Sequence, residues 1–86
     1  MYYIAVYDVN QKRVGKMLKL FRRYLNHVQN SVFEGELKDS DFLRLKAEAQ
    51  ALMNETEDSL IFYMLNGKYL ERETLGVQKN EPTNFI

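Results

Sequence analysis

The chain has 86 residues, of which 45% are hydrophobic and 28% are charged, and it contains no cysteine. This length fits one domain, and this composition excludes a disordered chain, a disulfide-bonded framework and a thiolate metal site. The net charge is zero, but residues 9–33 carry six Lys or Arg and no Asp or Glu, so that they hold +6 and the other residues −6. This separation of charge predicts a local positive field in a protein of neutral composition.

The first predicted element is a β-strand over Tyr2–Asp8, which is rich in aromatic and β-branched residues and ends on a carboxylate. Its apolar run is too short to span a membrane and has no basic leader, which excludes a signal peptide or an anchor. Together with the absence of cysteine, this predicts a cytoplasmic protein without membrane contact.

A helix is predicted from Lys12 to Leu25, with Asn10 as its N-cap. Apolar residues at helical spacing predict its buried stripe, which consists of Val14, Met17, Leu18, Phe21 and Leu25. The bases fall between these positions, so we expect them to face water or a ligand. They are Lys12, Arg13, Lys16, Lys19, Arg22 and Arg23.

Strand character returns over residues 28–37, either as two short strands joined near Asn30-Ser31 or as one bent strand. A second helix is predicted to start at Asp39-Ser40-Asp41, where the acids lie near its positive end. Its predicted buried stripe is Phe42, Leu45, Ala49, Leu52 and Met53. Residues 60–65 are apolar on both faces, which predicts a central strand. Asn66-Gly67 then predicts a hairpin and residues 68–75 its returning strand.

This element order predicts an α+β, ferredoxin-like βαββαβ sandwich over residues 1–76 with an extra C-terminal strand, followed by a tail at 77–86. Two helices cover only one face of such a sheet. Tyr3, Ala5 and Tyr7 on one side of the first strand, and Ile4 and Val6 on the other, are all uncharged. We therefore predict a symmetric homodimer that forms through the open face of the sheet.

Asp8 is the candidate metal ligand. A strand-end Asp usually caps a helix or shapes a turn, but a dimer would place two copies of this strand near one axis. Two neighbouring carboxylates can share a divalent cation, and Mg²⁺ commonly uses one or two carboxylates together with water and phosphate. Such a metal polarises a phosphoryl oxygen and activates water. Because Asp8 is the one acid among residues 1–33, a site with one carboxylate per subunit would be weak by itself.

The basic face of the first helix allows two interpretations: its bases either pair with acids elsewhere in the chain or contact phosphates. The helix has no acid at i,i+4 spacing, so pairing within the helix does not explain the bases. His27 is the single histidine, which excludes a two-histidine site within one subunit. A lone His is more often structural or merely exposed, and its functional alternatives are phosphate contact or proton transfer near Asp8. Ser31 has no evident base partner, and Tyr7 and Phe33 are expected to be packing residues.

Four blocks of the sequence closely resemble the second CRISPR-associated protein family, the small subunit of the spacer-acquisition complex. They are Y-Y-I-A-V-Y-D-V, K-R-V-G-K-M-L-K-L-F, H-V-Q-N-S-V-F-E-G-E-L and D-S-L-I-F-Y-M-L, spread over residues 1–65. The V-Q-N-S-V-F-E-G block together with the upstream Y-D-V is the most specific part of the resemblance.

The resemblance implies a ferredoxin-like homodimer that holds a divalent metal, typically Mg²⁺, between the Asp8 side chains of its two subunits. It implies endonuclease activity on single-stranded RNA or double-stranded DNA, and a non-catalytic role in joining two integrase dimers on the DNA that becomes a new spacer. By motif position, Tyr7, Asp8, Ser31 and Phe33 carry over as site residues, and Arg13 with its neighbours as a basic face. His27 stands where the family often has Arg. The C-terminal Phe85-Ile86 would dock on the integrase or complete the sheet of the partner subunit.

Two other functions remain open from the residues alone. A toxin ribonuclease resembling the virulence-associated D family would share the fold and the strand-end Asp, but the V-Q-N-S-V-F-E-G block favours the CRISPR family. A ferredoxin-like sensor of small molecules would need a polar pocket at a subunit interface, and the sequence offers no polar cluster for one.

Overall fold

The computed structural model describes Met1–Val77 as a five-stranded antiparallel sheet with two helices. The strands lie in the order β2-β3-β1-β4-β5. The first six elements follow the predicted βαββαβ order, and β5 is the predicted extra strand. The elements are β1 (Tyr2–Asp8), α1 (Gln11–Arg22), β2 (Asn26–Gln29), β3 (Val32–Glu36), α2 (Asp39–Leu52), β4 (Ser59–Asn66) and β5 (Tyr69–Gly76).

Helix α1 begins as predicted but buries a different residue in its first turn. The side chain of Asn10 accepts a hydrogen bond from the backbone N of Lys12 at 2.9 Å, which confirms the N-cap. Val14 was predicted to be buried and is 38% exposed, so this prediction is wrong. The inward position, four residues before the buried Met17, belongs to Arg13, whose side chain is only 19% exposed.

The β2–β3 hairpin confirms the two-strand alternative. Asn30 forms the turn with φ +42°, a left-handed conformation that Asn tolerates better than most residues. A bulge between His27 and Gln29 shifts the register of the short edge strand β2 against β3. Helix α2 buries its predicted residues Phe42, Leu45 and Ala49.

The hairpin between β4 and β5 turns at Gly67, whose φ of +62° suits glycine. At the other end of β5, Gly76 has φ +79°, and a Cβ atom there would lie 2.1 Å from the carbonyl oxygen of Asp58. The last described turn of the chain therefore requires glycine, because any side chain would strike the backbone beside β4.

The two helices pack on one face of the sheet. The ring of Tyr3 stacks on Phe42 of α2 at 4.5 Å between centroids, and the ring of Tyr7 lies 5.4 Å from Phe21 of α1. Residues that alternate with these in β1, such as Ile4 and Val6, point to the opposite face and are half-buried. In the described part of a single chain, this opposite face has no covering layer.

The open face is apolar at its centre. In β1 and β4 it consists of Tyr2, Ile4, Val6, Ile61, Tyr63 and Leu65. The homodimer predicted to cover this face stays a prediction. None of the helices among residues 1–77 is long and apolar enough to cross a membrane. The predicted tail contacts of Phe85-Ile86 lie outside the described residues.

Candidate functional site

Asp8 lies at the corner where β1 ends. It is exposed and pairs in register with Ser59 at the start of β4. Because side chains alternate along a strand, Asp8 lies on the same side of the sheet as Ile4 and Val6. The carboxylate therefore lies at the end of the open apolar face.

Asp8 is not part of a cluster of three or more acids or histidines among the described residues that could bind a metal ion. Within residues 1–77, no three His, Asp or Glu side chains are grouped closely enough to hold an ion. Asp8 is an exposed residue, and a carboxylate is the type of ligand that Mg²⁺ combines with water and phosphate. The residues of this corner thus fit a magnesium site that shares one carboxylate from each of two copies.

A buried carboxylate that the sequence did not single out lies directly beside this corner. Asp58 is fully buried and immediately precedes Ser59. Its two oxygens accept hydrogen bonds from Arg13 Nε at 2.6 Å and Arg13 Nη2 at 3.0 Å. They also accept from the backbone N of Asn10 at 2.9 Å and of Asn54 at 2.8 Å. We refer to Asp58, Arg13, Asn10 and Asn54 as the Asp58 cluster.

The ion pair with Arg13 dominates the electrostatics of this cluster. The Arg13 guanidinium lowers the pKa of Asp58 to about 2, against the opposing effect of burial and with help from the backbone donors of Asn54 and Asn10. Hydrogen bonds to Asp58 and to Glu57 in turn raise the pKa of Arg13. Arg13 is therefore a structural cation that pairs with Asp58 and Glu57 of its own chain through Nε and Nη2.

The lowered pKa of Asp58 predicts a specific loss of stability in acid. Because the ionised carboxylate is the form that the folded contacts favour, its contribution is complete above about pH 4 and is lost as the pH falls towards about 2. Over this interval we expect the free energy of unfolding to fall by about 2 kcal/mol more for the wild type than for Asp58→Asn. Urea unfolding at a series of pH values measures this difference, and parallel pH profiles would contradict it.

The remaining bases of α1 form an exposed surface, which we call the basic ridge: Lys12, Lys16, Lys19, Arg22 and Arg23. Arg23 lies 3.3 Å from Glu48 of α2, but its side chain is 62% exposed. Such an exposed pair is worth little and yields readily to another anion. Among residues 1–77, the other four bases make no ion pair within 4.0 Å. Pairing with acids elsewhere in the chain thus accounts for Arg13 and, through a weak exposed ion pair, for Arg23. The other four bases are available to bind phosphate.

His27 lies on the exposed edge strand β2, away from the core of the sheet. Its ring stacks on Phe33 with centroids 4.6 Å apart, and its Nε2 lies 2.7 Å from the carbonyl oxygen of Asn30. This distance indicates that Nε2 carries a proton and donates it to the carbonyl. The exposed imidazole could still meet a phosphate, which stays a prediction.

Tyr7, Ser31 and Phe33 support the strand that carries Asp8. Tyr7 and Phe33 are buried with their ring centroids 5.9 Å apart, and burial raises the pKa of the Tyr7 hydroxyl. The backbone N of Tyr7 donates to the carbonyl oxygen of Ser31 at 3.1 Å. The structure thus shows Tyr7 and Phe33 as packing residues and Ser31 as a backbone partner of β1. A direct part in chemistry stays a prediction.

A family model described as CRISPR associated protein Cas2 matches residues 1–73 of this chain. The chain belongs to the Cas2 family. This membership confirms the resemblance predicted from the sequence blocks, and it favours the Cas2 family over the toxin ribonuclease that the residues alone left open.

Relatives in this family are similar to the chain over nearly its whole length. The chain is 54% identical over 82 residues to the "CRISPR-associated endoribonuclease Cas2" of Thermotoga maritima, an alignment that covers 94% of each protein. It is 51% identical over 87 aligned positions to the protein of the same description from Dictyoglomus turgidum, with both proteins covered in full.

Solved Cas2 structures share the fold. A crystal structure described as cas2 superposes with a TM-score of 0.75 at 39% identity, covering 93% of this chain and 91% of that one. The crystal structure of Streptococcus pyogenes Cas2 gives a TM-score of 0.72 at 34% identity, covering 79% of this chain and 89% of that one. The α+β architecture with strand order β2-β3-β1-β4-β5 is therefore a Cas2 fold.

Proposed function

We propose that this protein is a homodimeric CRISPR adaptation subunit that binds duplex DNA, bridges integrase dimers and hydrolyses phosphodiester bonds with Mg²⁺. The observation that carries the proposal is the position of Asp8, at the end of the open apolar face and two residues before the N-cap of the basic helix α1. Asp8 thus lies at the end of the face that a second copy would cover, and the helix that carries the surface for phosphates begins three residues after it.

The dimer is argued from the open face. Ile4, Val6 and Tyr63 are only half-buried in a single chain, and up to Asp8 at its end the other residues of β1 and β4 on this face are uncharged. A contiguous apolar surface of this kind is usually covered by another protein surface. A second copy supplies a face of the same shape and chemistry under two-fold symmetry. Such a dimer brings two Asp8 side chains to the interface.

The chemistry is argued from Asp8 and the basic ridge. The carboxylate of Asp8 would bind Mg²⁺ together with Asp8 of the partner subunit. A magnesium ion bound there would polarise a phosphoryl oxygen and lower the pKa of a bound water. Lys12, Lys16, Lys19 and Arg22 would hold the phosphate backbone of the nucleic acid, and the imidazole of His27 would contact phosphate at the end of the hairpin. The name of the relatives, which specifies an endoribonuclease, supports RNA as a substrate.

Bridging and hydrolysis make different demands on the chain. A bridge between integrase dimers needs the basic ridge and the second copy, because these provide a rigid, two-fold surface for the duplex. Hydrolysis also needs Asp8. Nuclease assays with and without Mg²⁺, alongside integrase binding by wild type and Asp8→Asn, therefore test the two parts of the proposal separately.

The basic ridge predicts a salt-sensitive contact with duplex DNA. Replacing Lys16 and Lys19 together by Gln removes two phosphate contacts from each subunit, four from the dimer, which should make the plot of log K against log salt shallower by about 3.6. Filter binding or fluorescence anisotropy between low and physiological salt measures the slope. Lys68→Gln, at the β4–β5 hairpin, is the control and should leave the slope unchanged. A Lys16→Gln/Lys19→Gln protein with the wild-type slope would show that the duplex binds elsewhere.

A further inference from the structure

Asp58 is the one charged residue that is fully buried among residues 1–77. It is not exposed to a nucleic acid and belongs to neither the metal ligands nor the basic ridge. Its hydrogen bonds nevertheless join three segments: the connection after β1 through Asn10, the first turn of α1 through Arg13, and the turn before β4 through Asn54. Its backbone carbonyl also accepts from the N of Val77 at 2.8 Å.

Two short paths run from Asp58 to Asp8. One leads through the hydrogen bond to the N of Asn10, two residues after Asp8. The other leads along the chain to Ser59, which pairs with Asp8 across β1 and β4. The end of β1 is therefore linked to the buried carboxylate of Asp58 through Asn10, and to the backbone of Asp58 through Ser59 on the neighbouring strand.

We propose that Asp58 is a positioning residue that fixes the backbone of Asp8 for metal binding. The proposal rests on the proposed function, because it assumes that Asp8 is a magnesium ligand. Mg²⁺ demands nearly ideal octahedral geometry, so an exposed carboxylate at a strand end binds it well only if its backbone is held in place. Side chains behind metal ligands commonly have this effect.

The role requires a carboxylate rather than an amide. Oδ1 accepts from Asn10 and from Arg13 Nη2, while Oδ2 accepts from Asn54 and from Arg13 Nε. An Asn at this position has one oxygen and one NH₂ group, so in either orientation the NH₂ group faces two donors. Asp58→Asn therefore loses one pair of contacts without a change in side-chain volume.

The test compares Asp58→Asn with Glu73→Gln. Glu73 pairs with Lys46 between β5 and α2, so its variant also breaks an ion pair but lies outside the Asp58 cluster. Binding of Mn²⁺ is followed by electron paramagnetic resonance, and exchange of the Asn10 amide proton by NMR, at a temperature where circular dichroism shows each protein folded. For Asp58→Asn we expect a Kd for Mn²⁺ about 10- to 100-fold higher and faster exchange at Asn10. Glu73→Gln should change neither.

Two results would overturn the inference: wild-type Mn²⁺ affinity in Asp58→Asn, or an equal loss of affinity in Glu73→Gln. If Asp58→Asn does not fold, Arg13→Lys serves instead, since it keeps the charge but loses the two-pronged contact with Asp58. A raised Kd in that variant supports the proposal, and an unchanged Kd overturns it. A wild type that binds no Mn²⁺, or an Asp8→Asn protein that binds it normally, would refute the magnesium site itself and the inference with it.

Discussion

The substitution Asp8→Asn is expected to lower the rate of Mg²⁺-dependent hydrolysis of single-stranded RNA and duplex DNA by at least about 100-fold. The amide keeps the size of the side chain but removes the negative charge from each subunit's contribution to the metal site, so a two-fold site loses both of its carboxylates. Rates measured over a series of Mg²⁺ concentrations should show no recovery for Asp8→Asn at concentrations that saturate the wild type.

A control for this experiment is Glu55→Gln, which alters an exposed acid in the turn before β4 and should leave hydrolysis unchanged. Duplex binding by Asp8→Asn should persist, because the basic ridge is intact. Full hydrolysis by Asp8→Asn would exclude Asp8 as the metal ligand. Loss of hydrolysis with intact spacer acquisition would assign the chain a bridging role in adaptation.

The second large effect is expected for Ile4→Lys, which should convert the dimer to a folded monomer. Ile4 lies in the middle of the open face, and an unpaired charge buried at an interface costs about 3–5 kcal/mol. This cost raises the dimer dissociation constant by about 100- to 1,000-fold or more. In the single chain Ile4 is only half-buried, so the ammonium group of a Lys at this position can reach water and the chain should keep its fold. Sedimentation velocity over a range of concentrations measures the change.

Leu43→Lys provides the matched control, because Leu43 is an exposed apolar residue of α2 on the opposite side of the molecule from the open face. It should sediment like the wild type. The monomeric Ile4→Lys protein should also bind Mn²⁺ weakly, since each chain then offers one carboxylate. A monomeric wild type, or a dimeric Ile4→Lys protein, would place the subunit interface elsewhere.

Periodicity and turn chemistry were sufficient to predict the elements of this fold. The helical spacing of Phe42, Leu45 and Ala49 located the buried side of α2, and Asn66-Gly67 located the last hairpin. The first turn of α1 was misread because Val14 is apolar and Arg13 is charged. Hydrophobicity alone cannot indicate that Arg13 turns inward to meet a buried acid.

The sequence predicted the parts of the candidate site that are local in the chain and missed the part that depends on contacts between distant residues. Asp8 and the basic ridge stand out because strand ends and charge runs are local features. The Asp58 cluster is not local: Arg13 and Asp58 are 45 positions apart, and Glu55 and Glu57 lie in the same acidic turn. Residue type could not distinguish the buried carboxylate from its exposed neighbours. Its only sequence signal was its place directly before a strand that is apolar on both sides.

The missing side chain of Gly76 has a mechanical consequence. Only a hydrogen atom fits between Gly76 and the carbonyl oxygen of Asp58, and the N of Val77 donates to that same oxygen. The end of β5 is therefore in direct contact with the backbone next to Ser59, the residue that pairs with Asp8. A pull on Val77 would therefore be transmitted to this corner. A bulkier residue at position 76 would break that linkage and would also displace the side chain of Met53.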